Sequence, residues 1–251
     1  MPVAFRGLAL WPLLLAWLSV VTSCGGGSSS SVNTDQGSQV SQPGAFQFEN
    51  VSYPNVVFVP SSYDGSRALP AILLVHGGGG KGQDMIDLWQ QFAQKQGIIL
   101  VAPTLPLDAQ FETKVPRLFP ALMDSIKAKW KIDPSRIYVF GYSAGGYSTF
   151  DAATLASTYF AAVGVFASII TPDYYGIIQQ AKRKTPIAMY IGDHDQFFTV
   201  AQAAATRDQL VANGFTVHFV VLPDQDHNYA AVSNFVNSDV WTFFSQYMLP
   251  Q

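Results

Sequence analysis

The 251-residue chain carries a formal charge of −3, with charged residues at 12%, aromatic residues at 14% and a single cysteine. A charge-poor, slightly acidic chain without a basic cluster gives no footing for a nucleic-acid partner, and one cysteine excludes a disulfide-framed fold. The histidines and carboxylates lack metal-ligand spacing, and no glycine loop ends in the lysine-serine pair of a nucleotide site, so no metal and no other cofactor is expected. In chain order, MPVAFRG followed by LALWPLLLAWLSVV reads as a secretory signal peptide over residues 1–23. Its apolar core of about 14 residues, interrupted by Pro12, falls short of the roughly 20 that a bilayer-spanning helix needs.

Val21-Thr22-Ser23-Cys24 resembles the bacterial lipobox, which implies acylation of Cys24 as the mature N-terminus and attachment to a membrane through that lipid. Gly rather than Asp after the cysteine resembles an outer-membrane sorting pattern, so a bacterial cell-envelope location is expected. Gly25 to Pro43 is almost purely Gly, Ser, Asn, Gln and Val, too polar to offset its own ordering. Residues 24–44 are therefore read as a flexible tether, and 45–251 as one catalytic-size domain with a single core. The sequence carries no signal of oligomeric state.

From Ala45 onward, short apolar or β-branched runs alternate with segments of helical period, the pattern of a βαβ protein with a mostly parallel sheet. AFQFENVSY and NVVFVPSSY predict an opening antiparallel pair. AILLVHG, GIILVAP, RIYVF, AAVGVFAS, PIAMYIG and TVHFVVL then predict six parallel strands, about eight strands in all, with AILLVHG fully buried. Helices are expected over Asp84–Gln96, Leu118–Trp130 with Pro120 in the first turn, Ala144–Ala156, Thr199–Asn213 and Tyr229–Met248. Only Ile169 to Thr185 separates the fourth and fifth parallel strands, too little for a large lid.

The chemistry-bearing residues all fall at the carboxyl ends of predicted strands, where sites of open α/β sheets form. Gly141-Tyr142-Ser143-Ala144-Gly145-Gly146 has the G-x-S-x-G form with a strand before it and a helix after it, which makes Ser143 the candidate nucleophile. A serine hydroxyl needs a base, and the base needs an orienting acid. His227 follows the last predicted strand, whereas His76 precedes the nucleophile, His218 lies inside a strand and His194 sits in the acid loop. In Gly192-Asp193-His194-Asp195 the G-x-x-D spacing selects Asp195, with Asp193 two residues away as the alternative. The oxyanion hole is expected from the N–H of Ala144 and from His76-Gly77-Gly78-Gly79-Gly80, with Gly78 first and Gly77 and Gly79 next. Tyr142, Phe111, Phe197 and Phe198 are candidate walls of an apolar or aromatic pocket.

HGGGG, DPSRIYV before GYSAGG, GDHD and DHNY, in this order, resemble the esterase and polyhydroxybutyrate-depolymerase-like branch of the α/β-hydrolases, which includes feruloyl and acetylxylan esterases. The resemblance implies an α/β-hydrolase fold and a serine carboxylester hydrolase working through an acyl-enzyme, with small or polymeric esters as substrates. Ile191 and Gln196-Phe197-Phe198 depart from commoner residues of that branch and leave the ester open. Two other readings are a serine peptidase of the prolyl-oligopeptidase kind and a surface-binding protein with a vestigial site.

Overall fold

The computed structural model describes residues 40–250, so the leader, Cys24 and most of the expected tether lie outside the described residues. Strands β1 (Val40–Phe48) and β2 (Val51–Val59) form the antiparallel pair, with Pro43 opposite Val56. β1 opens before Ala45, within the stretch read from sequence as tether. Ladder pairing uses backbone groups and does not require apolar side chains, and an edge strand tolerates the proline. The parallel strands are β3 (Leu69–Val75), β4 (Ile99–Pro103), β5 (Ile132–Tyr142), β6 (Val163–Phe166), β7 (Ile187–Gly192) and β8 (Val217–Leu222). They build one eight-stranded sheet in the order β1-β2-β4-β3-β5-β6-β7-β8, in which β2 alone runs antiparallel to its neighbours β1 and β4.

The sheet is covered on both faces, which explains why β3 is apolar at every position. Strand alternation divides its side chains. Leu73 and Val75 pack with Phe119 and Phe150 in one core layer, and Ile72 and Leu74 pack with Trp89, Phe140 and Phe244 in the other. The covering helices are α1 (Gly82–Gln96), the short α2 (Ala109–Glu112), α3 (Val115–Lys127), α4 (Ala144–Thr154), α5 (Val200–Ala212) and α6 (Tyr229–Phe244). α3 starts three residues earlier than the sequence suggests, with Pro116 in its first turn. Pro120 therefore lies inside the helix, a correction, and leaves the Pro116 carbonyl without an intrahelical donor.

Between β6 and β7 the chain makes a 3-10 helix over Pro172–Gln180 rather than a lid. Among the described residues no helix is long and apolar enough to cross a membrane, and no group of His, Cys, Asp and Glu could hold a metal ion.

Candidate active site

Strand β5 ends at Tyr142 and α4 begins at Ala144, so Ser143 alone makes the reversal, with φ 53° and ψ −118°. A positive φ on a non-glycine residue is strained and persists only where its surroundings hold it. Here the Ser143 N–H donates to the Phe166 carbonyl at 2.9 Å, and the Ser143 carbonyl accepts from the Gly146 N–H at 2.8 Å. The flanking glycines are steric necessities. A Cβ at Gly141 would lie 2.1 Å from Thr149 Oγ1, and one at Gly145 would lie 2.5 Å from the His76 carbonyl oxygen.

His227 comes from the loop between β8 and α6 and is only 8% exposed. Its Nε2 lies 2.8 Å from Ser143 Oγ and its Nδ1 lies 2.7 Å from Asp195 Oδ2. The Asp195 side chain has no solvent exposure, and its other oxygen, Oδ1, accepts the N–H groups of Phe197 and Phe198 at 2.8 and 2.9 Å. A carboxylate so placed accepts the Nδ1 proton, which leaves Nε2 free to accept the serine proton. Tyr142 holds the His227 backbone by donating its hydroxyl to the His227 carbonyl at 2.9 Å.

Asp193 does something else. It is exposed, and its Oδ1 accepts the Gln225 N–H at 3.3 Å, while the His194 N–H donates to the Gln225 carbonyl at 2.8 Å. These bonds latch the loop carrying Asp195 to the loop carrying His227. A Cβ at Gly192 would lie 2.1 Å from the Gln225 carbonyl oxygen, so the two loops meet only because that residue is glycine.

The glycine loop after β3 folds as a turn in which the Gly80 N–H donates to the Gly77 carbonyl at 3.0 Å and Gly79 takes φ 72°. Gly77 lies against the elbow: a Cβ there would be 2.9 Å from the Tyr142 ring and 3.5 Å from Ser143 Cβ. A Cβ on Gly78 would be 3.8 Å from Ala144 Cβ, which puts the glycine loop against the first residue of α4. Ala144 opens α4, so its N–H has no acceptor within the helix. His76 braces this turn, a role its sequence position did not disclose. Its Nε2 accepts the Leu105 N–H at 2.9 Å, so Nδ1 carries the proton and donates to the Gly77 carbonyl at 2.7 Å. Burial holds the His76 imidazole below the usual histidine range, in keeping with a neutral ring.

Of the candidate pocket residues, Phe197 is 54% exposed with its ring 4.6 Å from that of His227. Phe198 lies 5.9 Å from the His227 ring and 6.3 Å from Tyr147. The Tyr142 ring packs between His227 and Phe166. Phe111 is a correction: it is 2% exposed and packs on Tyr53 and Phe119, because α2 turns that face toward the core.

A further acid, unmarked by any motif, lies on the helix that follows Ser143. Asp151 is 1% exposed, accepts the Tyr174 hydroxyl at 3.1 Å through Oδ1, and leaves Oδ2 without a partner among the described residues. Burial pushes its carboxyl up to about 7, and burial also raises Glu112, which faces it.

The sequence matches the dienelactone hydrolase family over residues 56–240. No curated protein matches it. Among solved structures it is similar to a thermostable esterase at 19% identity and a TM-score of 0.64, over 83% of this chain and 63% of that one. A ferulic acid esterase from Anaeromyces mucronatus, in complex with ferulic acid, aligns at 15% identity and 0.65 over 80% of this chain and 90% of that one. Dipeptidyl peptidase 4 from Porphyromonas gingivalis aligns at 14% and 0.67 over 83% of this chain, which spans only 36% of the peptidase. These likenesses show the fold, the mostly parallel α/β-hydrolase sheet with flanking helices.

Proposed function

The chain belongs to the dienelactone hydrolase family, and from that premise we propose that it is a serine carboxylester hydrolase acting through an acyl-enzyme. The observation that carries the reading is the continuous hydrogen-bond chain Ser143 Oγ, His227 Nε2, His227 Nδ1, Asp195 Oδ2, with links of 2.8 and 2.7 Å. Ser143 Oγ attacks the ester carbonyl carbon while its proton passes to His227 Nε2, and the carboxylate of Asp195 stabilises the imidazolium that forms. The carbonyl oxygen becomes an oxyanion, which in this reading the Ala144 and Gly78 N–H groups receive, at the positive end of the α4 dipole. The imidazolium then gives its proton to the departing alkoxide. A water molecule, deprotonated by His227, attacks the acyl-serine, and collapse of the second tetrahedral intermediate returns Ser143 and frees the acid.

Phe197, exposed beside the base, supports an aromatic or otherwise flat acyl or alcohol group, and the short 3-10 segment between β6 and β7 supports bulky or polymeric esters. The leader, the acylated Cys24 and the tether belong to the same proposal and place the enzyme at a bacterial envelope membrane. Turnover of p-nitrophenyl esters by the purified protein, lost in Ser143→Ala, tests the reading. Cleavage of peptide anilides without ester turnover would turn it toward a peptidase, and neither activity would turn it toward a binding protein.

A further inference from the structure

The cations of this chain are scattered in sequence, but the topology gathers them. Arg67 precedes β3, Lys95 ends α1 ahead of β4, Lys129 and Lys131 lead into β5, and Lys182 and Lys184 lead toward β7. All six lie at the amino ends of parallel strands, are exposed, and make no ion pair among the described residues. Because β4, β3, β5, β6 and β7 are neighbours in the sheet, these groups spread over about 20 Å at roughly 4.8 Å per strand. Of the acids at the same end, Asp124, Asp133 and Asp208 are paired with Lys127, Arg136 and Arg207, while Asp64, which accepts the Ser66 N–H and hydroxyl, remains an exposed anion there.

The opposite end has the opposite sign. Around the carboxyl ends of the strands, where Ser143 sits, the exposed charges include Asp84, Asp108, Asp173, Asp193, Asp224 and Asp226, against Lys81 and the half-buried Lys114. The point at which residues 1–39 join the domain is a separate observation. Val40 is level with Val59, and the next residue inward, Phe58, is level with Leu100 near the start of β4. The chain therefore enters the described domain at its cationic end.

We infer that the end of the domain carrying Arg67, Lys95, Lys129, Lys131, Lys182 and Lys184 docks on an anionic membrane surface and holds the Ser143 site away from it. Negative lipid headgroups attract exposed lysines and arginines within about a Debye length, roughly 8 Å at physiological salt. The acidic end is repelled, so the charge asymmetry orients the molecule as well as binding it. Chain length is consistent with this: the 16 residues from Cys24 to Val40 span at most about 55 Å, so a lipid on Cys24 would keep the cationic end close to the bilayer. The inference rests on the proposed function only for naming the outward end as the site; the docking itself does not depend on catalysis.

The test uses the full chain with Cys24→Ser, which has no site for the lipid, and co-sedimentation with vesicles of phosphatidylcholine alone or with phosphatidylglycerol added. Each exposed Lys or Arg near such a surface changes partitioning by about fivefold. Binding should favour the anionic vesicles and weaken in high salt. It should fall at least about tenfold when Lys129, Lys131, Lys182 and Lys184 are all changed to Gln. Solution turnover of a soluble p-nitrophenyl ester should be unchanged by those substitutions, which also reports that the variant is folded. Vesicle-bound wild-type protein should retain its solution rate on the same ester. Equal binding to both vesicle types, undiminished binding of the four-fold variant, or loss of turnover on docking would overturn the inference. Absence of ester turnover in solution counts against the proposed function instead, and the binding arms still decide the docking.

Discussion

Asp195→Asn separates a geometric role for this carboxyl from a merely structural one. The side chain is fully buried, and its Oδ1 already accepts the Phe197 and Phe198 N–H groups at 2.8 and 2.9 Å. An asparagine is nearly the same size, and its oxygen is the only atom that can satisfy those two donors. Its amide NH2 must therefore face His227 Nδ1, at the 2.7 Å position now held by Oδ2. A donor there forces the tautomer with the proton on Nε2, and the ring then donates to Ser143 instead of accepting from it. The base is blocked while the fold is kept. The expected loss is on the order of 10³ to 10⁴ in kcat, about 4–5.5 kcal/mol of barrier, with KM changed little. Steady-state hydrolysis of p-nitrophenyl butyrate measures it, with circular dichroism to check folding. Asp193→Asn should stay within about threefold of wild type, because its contact joins loops and does not reach the base. A folded Asp195→Asn protein with more than about a tenth of wild-type kcat, or an Asp193→Asn protein equally impaired, would refute the reasoning.

Asp151 predicts a pH dependence of stability. Its folded carboxyl titrates at about 7, above the ordinary 3.8. The native state therefore holds a proton that the unfolded state has released between those values, so stability falls by a few kcal/mol as pH rises from about 4 to 7. Thermal melts should show wild-type Tm dropping between pH 5 and pH 8, with a flatter profile for Asp151→Asn; parallel profiles would contradict this. His76→Ala unties the Gly77 carbonyl and the Leu105 N–H together. Its kcat on esters should fall by about 10–100-fold with a smaller change in KM, because an oxyanion donor acts in the transition state. A pure KM effect would argue against this role. Phe197→Ala should raise KM for aromatic esters by roughly 3–10-fold and leave acetate esters nearly unchanged; equal effects on both would remove Phe197 from the pocket.

How much of this could be read from sequence depends on how local each feature is. The elbow was legible because strand, G-x-S-x-G and helix are contiguous, and His227 because its loop follows the last strand. The division of labour between Asp195 and Asp193 was legible only as a choice. Two acids in one loop differ in their contacts through which backbone N–H groups and which neighbouring loop they meet, and Gln225 lies 30 residues beyond Asp195 in the chain. Phe111 followed the same logic in reverse, since a four-residue helix turned an expected pocket wall into the core. Neither the Asp151 carboxyl nor the cationic end leaves a motif. The first depends on burial beneath the 3-10 segment, and the second on a strand order that brings distant loops side by side.

If Ser143 is the nucleophile that forms an acyl-enzyme, intact-protein mass spectrometry after exposure to a fluorophosphonate should find one stoichiometric adduct, mapped to the peptide containing Ser143, lost in Ser143→Ala and much slowed in His227→Ala. No adduct, or an adduct that persists in Ser143→Ala, would contradict it.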